Sequence, residues 1–165
     1  MQKVNSLQDK WQNVAFSLAG LLIVLADQLT KTWIRANLPR GQSLFDLGFL
    51  RITHVYNTGA AFGLFRDQSF ILTIAALIGV VVVFVCIFLS HRYLSFLNSM
   101  LGKSALGLVL GGSVGNLIDR LRFGYVTDFI DFRVWPAFNI ADSAITIGVI
   151  LFAYCVLSSA QSAKR

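Results

Sequence analysis

The sequence predicts an all-α polytopic membrane protein with four transmembrane helices, a small extramembrane β-sheet and an interfacial loop. Three observations support this fold class. Of the 165 residues, 56% are hydrophobic and 13% are charged, about half the charged share of a soluble domain. The mean hydropathy is +0.68. A domain of this size has too little interior to bury that apolar excess, and several uncharged runs approach the length that crosses a bilayer.

The charge and cysteine content argue against several other classes of protein. The formal net charge is +6, but the basic residues lie between apolar runs, where anionic lipid headgroups are nearer partners than nucleic acid. Cys86 and Cys155 both lie inside apolar runs and are interpreted as small buried residues, not as a disulfide or a metal site. We therefore expect membrane lipids as partners, no nucleic acid, and no metal or other cofactor.

The four transmembrane helices are predicted at residues 13–34, 70–90, 94–118 and 137–160. The first begins like a signal peptide, but further spans follow, so an uncleaved anchor is expected. The second contains no charge. Its β-branched residues would favour a strand in water, but in lipid a helix is expected because it satisfies every backbone hydrogen bond internally. In the third, Gly107, Gly111 and Gly115 recur every four residues and indicate a helix-packing face.

Two connecting segments fall on the same side of the membrane, because they follow the first and third spans. Residues 50–56 alternate apolar and polar side chains within the segment 35–69, which predicts a strand. The segment 119–136 is polar but rich in aromatic residues and is predicted to be an interfacial loop. Basic residues on the two sides are similarly numerous, so charge counting leaves the orientation open.

Ionisable residues within apolar spans are costly and are either paired or functional. Asp27 and Lys31 have i,i+4 spacing, which favours a structural ion pair near the bilayer surface. Asp119 and Arg120 are expected to neutralise each other, and Asn116 to bond freed backbone groups. The favoured interpretation of both groups is structural.

Asp128 and Asp142 differ from the other acids, because neither has a basic residue within four positions. Carboxyls in such apolar and aromatic surroundings are expected to have raised pKa values. If the two meet, they share one proton, so that one acts as base and the other as acid, as in aspartic proteases. Two structural carboxylates are the alternative. Asp131 is a competing candidate, but Arg133 is nearby.

Two other functions remain open from the residues alone. Residues 111–115 match the G-x-S-x-G pattern, with Ser113 as nucleophile and His54 or His91 as base, although that elbow requires a strand-to-helix turn. A small proton-coupled transporter could use Asp27, Asp119 and Asp142 as a relay. A zinc protease is not expected, because the chain has no Glu and no H-E-x-x-H.

Five ordered motifs resemble one family: DQLTK at residues 27–31, NTGAAFG at 57–63, GGSVGNLIDR at 111–120, VTDF at 126–129 and FNIAD at 138–142. The chain resembles the bacterial lipoprotein signal peptidases, also called type II signal peptidases. The resemblance implies an aspartic endopeptidase of the inner membrane. Such an enzyme removes the signal peptide of a prolipoprotein by cleaving before its diacylglyceryl-modified cysteine.

The resemblance also implies roles for individual residues. Asp128 and Asp142 match the catalytic pair. The polar residues that line or brace the site would be Asn57, Asn116, Asp119, Arg120, Asn139, Asp27 and Lys31. Both termini would be cytoplasmic and the aspartates would face the periplasm, with the sheet and the interfacial loop on that outer side. We expect a single domain over residues 1–165, acting as a monomer on its prolipoprotein substrate.

Overall fold

The computed structural model describes residues 2–59, 68–90 and 97–162. Within these ranges the helices are α1 (Gln2–Asn37), α2 (Ser69–Ser90), α3 (Met100–Phe123) and α4 (Ile140–Ser162), and the strands are β1 (Ser43–Asp46), β2 (Arg51–Asn57) and β3 (Val126–Asp131). All four helices are long and apolar enough to span a membrane. The predicted fold class is therefore confirmed.

Helix α3 is the centre of the bundle and packs against the other three helices. In the most apolar 18-residue stretch of α3, 61% of the residues are buried, whereas only 6% are buried in the corresponding stretches of α1 and α2. The large apolar side chains of α1, α2 and α4 are mostly exposed, which is the pattern expected when lipid, and not water, is the solvent. The bundle therefore encloses α3 together with a set of buried polar residues, some of which lie on other elements, such as Asp27 and Lys31 of α1.

The predicted glycine face of α3 packs closely against α1. A Cβ atom on Gly107 would lie 2.5 Å from the carbonyl oxygen of Phe16, and one on Gly111 would lie 2.6 Å from that of Gly20. Small residues allow two backbones to approach closely where no hydrophobic effect drives helices together. The packing role predicted for these glycines is confirmed.

Gly112 faces α4 instead, and its replacement is expected to destabilise the protein. A Cβ there would overlap the carbonyl oxygen of Ala141 and lie 2.7 Å from Cγ1 of Ile145. We expect Gly112→Ala to lower the free energy of unfolding by about 1–3 kcal/mol, a typical cost of overpacking, seen as a lower melting temperature in detergent. Gly79→Ala is the control, because its Cβ would meet only Oγ of Ser113 at 3.9 Å. Equal losses in the two variants would contradict the prediction.

The ends of α3 differ from the predicted span of 94–118. The side chain of Ser99 accepts a hydrogen bond from the backbone of Gly102, and Gly124 ends the helix with φ 76° and an N–H bonded to the carbonyl of Arg120. The helix therefore begins at Met100 and continues to Phe123; residues 94–96 lie outside the described ranges. The prediction ended the span too early because the polar residues after 115 are buried against other helices and do not mark the membrane surface.

The sheet is antiparallel with the order β1–β2–β3. The strand predicted over residues 50–56 is confirmed as β2. The loop predicted over 119–136 is wrong for residues 119–123, which continue α3, and for residues 126–131, which form β3. Phe129 of β3 packs with Ile34 and Leu38 at the end of α1, so an aromatic residue interpreted as interfacial is part of a small core.

Candidate active site

The start of helix α4 holds Asp142 in a fixed position. The side-chain oxygen of Asn139 accepts a hydrogen bond from the backbone N–H of Asp142 at 2.9 Å, and Oδ2 of Asp142 accepts one from the backbone N–H of Asn139 at 3.2 Å. This reciprocal arrangement is a capping box, with Asn and Asp in place of the usual Ser and Glu. The sequence Asn-x-x-Asp therefore both starts the helix and orients the carboxylate.

Strand β3 brings Asp128 to the same place. Its side chain is 1% exposed. Its two oxygens accept hydrogen bonds from the amide of Asn57 at 2.8 Å and from the amide of Asn139 at 2.7 Å. Asn139 thus contacts both aspartates, and the structure brings the two carboxyls together as predicted.

Asp142 is the more accessible of the two carboxyls. Its Oδ1 accepts a hydrogen bond from Nδ2 of Asn116 at 2.7 Å. The carboxyl lines a cavity of about 400 Å³ that lies between α2, α3, α4 and residues 135–138. The polar side chains of Asn57, Asn116 and Arg120 line the same cavity. The cavity wall is otherwise largely apolar, so one side of the aspartate pair faces a space that a peptide segment could enter.

The pKa of Asp128 is raised to about 7. Burial is the largest cause, and the negative charge of Asp142 adds to it, while the amides of Asn57 and Asn139 oppose it. Asp131 behaves in the opposite way. Although burial works against it, the hydrogen bond from the backbone of Arg133 and the ion pair with Arg51 hold the pKa of Asp131 below its usual value. The raised pKa predicted for the Asp128 carboxyl is confirmed, and Asp131 is an ion-paired residue of the sheet.

This shift predicts how stability depends on pH. The folded carboxyl of Asp128 keeps its proton up to about pH 7, whereas an unfolded one loses it near 3.8. Wild-type stability should therefore fall between about pH 5 and pH 8 relative to Asp128→Asn, which has no proton to lose. Melting temperatures of both proteins at the two pH values test this. The control Asp131→Asn should show the same difference in melting temperature from wild type at both pH values. The pKa of Asp131 is lowered, so its carboxyl changes protonation only below this pH range. A constant difference for Asp128→Asn would contradict the prediction.

A second group of charged side chains is fully buried behind the aspartates. Nζ of Lys31 lies 2.8 Å from Asp27, 3.5 Å from Asp119 and 2.9 Å from Oδ1 of Asn116. The ion pair predicted between Asp27 and Lys31 is confirmed, and it lies inside the protein, because both side chains are 0% exposed. Through Asn116, Lys31 supports the amide that binds Asp142.

Asp119 and Asp27 each fix a backbone N–H beside the site. Oδ2 of Asp119 accepts from the backbone of Thr127 at 3.0 Å, which holds β3 next to Asp128. Oδ1 of Asp27 accepts from the backbone of Ala141 at 3.0 Å, next to Asp142. The expected neutralisation of Asp119 by Arg120 is replaced by ion pairs with Lys31 and Arg35, because α1 lies alongside this face of α3.

Arg120 interacts electrostatically with Asp142, Asp128 and Asp119 and lines the cavity. Arg35 was not among the predicted site residues. It donates to Asp119 at 3.2 Å and to the hydroxyl of Thr127 at 3.0 Å. Its position directly after the predicted first span is a signal in the sequence that could have drawn attention to it; in the structure it lies in the last turn of α1.

Among the described residues, the features that a serine protease or a zinc protease requires are not brought together. Ser113 lies within the continuous helix α3, and not at a strand-to-helix turn. Nδ1 of His54 lies 2.6 Å from the carbonyl of Leu38, beside the sheet. His91 lies outside the described residues. Over residues 2–59, 68–90 and 97–162, no three His, Cys or Asp side chains are arranged to hold a metal ion.

Comparison with known proteins decides the family. The model of the family described as "Signal peptidase (SPase) II" matches residues 19–158. The chain belongs to the signal peptidase II family. The aspartates at 128 and 142 and the polar residues around them all lie within the matched range, as do the five motifs; residues 60–63 of the second motif lie outside the described residues.

Relatives over nearly the full length support membership of the signal peptidase II family. A lipoprotein signal peptidase of Dehalococcoides mccartyi is 44% identical over 151 residues, covering 92% of this chain and 94% of the relative. One from Moorella thermoacetica is 46% identical, covering 91% and 97%. Two solved structures of bacterial membrane enzymes are similar in fold. One has a TM-score of 0.77 at 33% identity, covering 88% of each chain; the other has 0.71 at 34%, covering 85% and 90%.

Proposed function

We propose that this signal peptidase II is an aspartic endopeptidase that hydrolyses the peptide bond before the diacylglyceryl-modified cysteine of a prolipoprotein, with Asp128 and Asp142 as the catalytic pair. Removal of signal peptides is the activity that the family description names, and the relatives are named lipoprotein signal peptidases. The observation that carries the catalytic assignment is Asn139, whose side-chain amide donates to Asp128 and whose backbone N–H donates to Asp142.

The reaction uses one proton shared between the two carboxyls. The ionised carboxylate takes a proton from a water molecule as the water oxygen attacks the scissile carbonyl carbon, while the protonated carboxyl donates to the carbonyl oxygen. The tetrahedral intermediate then collapses. Its C–N bond breaks as the proton taken from water passes to the leaving nitrogen, and one hydroxyl of the intermediate returns its proton to the second carboxylate as the C=O bond re-forms. Burial and the negative charge of Asp142 keep the proton on Asp128 up to about pH 7 by raising its pKa.

Polar residues around the pair position it and the substrate. Asn57 and Asn116 each hold one carboxyl oxygen, so the two side chains are fixed before substrate arrives. Arg120 lines the cavity and forms no hydrogen bond to another described side chain, so its guanidinium is available to bind the substrate. We assign it to a backbone carbonyl of the extended substrate. Lys31 acts on the site through the side chain of Asn116. Asp27 and Asp119 act on it through the backbone N–H groups of Ala141 and Thr127, respectively.

The membrane setting suits a lipidated substrate. The cavity is bordered by Leu72, Ala75 and Ile145 as well as by polar residues, so apolar helix faces are available for the signal helix and the acyl chains. We place the site at the periplasmic face of the bacterial inner membrane, with both termini cytoplasmic. We assign the activity to a single domain that acts as a monomer.

Cleavage of a diacylglyceryl-modified prolipoprotein in detergent tests this proposal. Wild type should yield two fragments with the cut before the lipidated cysteine, located by mass spectrometry. Asp142→Asn should remove the activity while keeping the melting temperature near that of wild type. Ser113→Ala is the matched control, because Ser113 lines the same cavity but has no role in the aspartic mechanism. Loss of cleavage in folded Ser113→Ala, or its persistence in folded Asp142→Asn, would overturn the assignment.

A further inference from the structure

Arg35, in the last turn of α1, closes a ring of hydrogen bonds around Thr127. Its Nη1 donates to Oγ1 of Thr127 at 3.0 Å and to Oδ1 of Asp119 at 3.2 Å. The other carboxylate oxygen of Asp119 accepts from the backbone N–H of Thr127 at 3.0 Å. The same arginine–aspartate pair therefore holds one threonine by its side chain and by its backbone. We call this pair the Arg35–Asp119 clamp.

The guanidinium of Arg35 is fixed from two further sides. Its Nη2 donates to Oγ1 of Thr32 at 3.1 Å, and its Cζ lies 4.6 Å from the ring centre of Phe123 at the end of α3. The side chain of Arg35 is 15% exposed, and Thr127 is 0% exposed. Because a planar guanidinium presents its N–H groups in a fixed geometry, a clamp held in this way restricts Thr127 to one position.

Thr127 precedes Asp128 in β3, at a place where the pairing of the sheet is irregular. Val55 of β2 pairs with Asp128, and Ile52 of β2 pairs with Ile130, so β2 has one residue more than β3 between these two pairs. An extra residue of this kind disrupts the ladder of hydrogen bonds locally. The ladder alone therefore restrains Asp128 weakly, and the clamp on the adjacent residue supplies a second restraint.

We propose that Arg35 is a positioning residue for the peptidase reaction, which acts through Thr127 to hold the Asp128 carboxyl in place. This inference rests on the proposed function, since it requires Asp128 to belong to the catalytic pair. Successive side chains of a strand point to opposite faces. The clamp therefore holds β3 from one face, while Asn57 and Asn139 hold the Asp128 carboxyl on the other. Displacement of a reacting group by about 1 Å can cost about 10²-fold in rate, so a smaller shift of β3 is enough to slow the reaction.

The kinetics of prolipoprotein cleavage by the full chain in detergent test the proposal. Thr127→Val removes the hydroxyl that Arg35 holds but keeps the shape of the side chain. We expect kcat to fall about tenfold and KM to stay within about twofold, because the substrate still binds while the carboxyl is less well placed. Thr127→Ser keeps the hydroxyl and should recover most of the wild-type kcat.

Thr53→Val is the matched control for Thr127→Val. Thr53 is also a buried threonine of the sheet, but its hydroxyl donates to the backbone carbonyl of Gln42. Its replacement should leave kcat within about twofold of wild type. An equal fall of kcat in the two valine variants would overturn the proposal, because it would indicate a general weakening of the sheet.

The link between the hydroxyl and Arg35 is tested by combining variants. In an Arg35→Met background the hydroxyl of Thr127 has lost its partner, so adding Thr127→Val should change kcat by less than about twofold. A full tenfold loss in both backgrounds would overturn the proposal. If Arg35→Met does not fold, the serine variant decides. A kcat of Thr127→Ser as low as that of Thr127→Val would show that the hydroxyl is not the anchor.

Failure of the proposed function would be recognised separately. If wild type did not cleave, or if folded Asp142→Asn remained active, the catalytic assignment would fail whatever the threonine variants do. Hydrogen–deuterium exchange tests the clamp without peptidase activity. The backbone amides of residues 126–129 should exchange about fivefold faster in Thr127→Val than in wild type, which corresponds to the loss of one hydrogen bond, and at the wild-type rate in Thr53→Val. Equal exchange in all three proteins would overturn the clamp.

Discussion

Asp128→Asn is expected to lower the rate of prolipoprotein cleavage by about 10³-fold or more, since it removes acid–base catalysis from one member of the pair. Asparagine has nearly the same shape, so the fold should persist. It can neither take a proton from water nor give one to the substrate. The measurement is the initial rate of fragment release from a diacylglyceryl-modified prolipoprotein, with a thermal melt of the same sample in the same detergent.

Asp131→Asn is the matched control for this variant, because it makes the same chemical change in the same strand. Asp131 is bonded to Arg51 and to the backbone of Arg133 and does not contact the catalytic pair. Its replacement should leave the cleavage rate within a few-fold of wild type. If folded Asp128→Asn cleaved within about tenfold of wild type, Asp128 would not be catalytic.

Lys31→Met is expected to have the largest effect on stability. Lys31 is 0% exposed and lies between the carboxylates of Asp27 and Asp119. Removing one partner of a buried ion pair leaves an uncompensated buried charge, which costs about 3–5 kcal/mol. For a chain of this size that cost corresponds to a melting temperature lower by roughly 10 °C. Cleavage should also fall at temperatures where the variant is still folded, because Asn116 loses the ammonium group that orients it.

Two further variants separate this mechanism from a simple loss of charge. Lys10→Met removes an exposed lysine from the opposite end of α1 and should leave the melting temperature unchanged. Asp27→Asn combined with Lys31→Met removes both charges of the pair, so it should be more stable than the sum of the single variants predicts. Additive losses would show that the two side chains contribute independently and would contradict the ion-pair explanation.

The spans that could be predicted best from the sequence are those whose surroundings are uniform. Helix α2 begins and ends within one residue of its prediction, because an uncharged run has only lipid around it and its ends are marked by polar residues. Helix α3 was misplaced at both ends. Its polar residues from Asn116 onward were interpreted as the membrane surface, whereas α1 and α4 supply buried partners for them.

The aspartate pair could be predicted for a local reason, and its supports could not. Asp128 and Asp142 were singled out by the lack of nearby basic residues and by the motifs that carry them. The contacts that orient them join residues far apart in the chain, such as Lys31 with Asn116 and Arg35 with Thr127. No periodicity in a single sequence reports such pairs. Strand β3 was missed for a related reason, since both of its faces are buried and it shows no alternation.

The bond from the backbone N–H of Ala141 to Asp27 has a consequence for biogenesis. The first span is synthesised more than a hundred residues before its partner on the last one, so it enters the bilayer while that partner does not yet exist. During this interval the i,i+4 spacing lets Lys31 neutralise Asp27 within a single helix, which lowers the cost of inserting either charge alone. When α4 arrives, Asp27 accepts a hydrogen bond from the backbone N–H of Ala141 and so holds the start of α4, which carries Asp142. On the proposed role of Asp142, a nascent chain that lacks the last helix cannot hydrolyse peptide bonds, and proteolysis begins only when membrane insertion is complete.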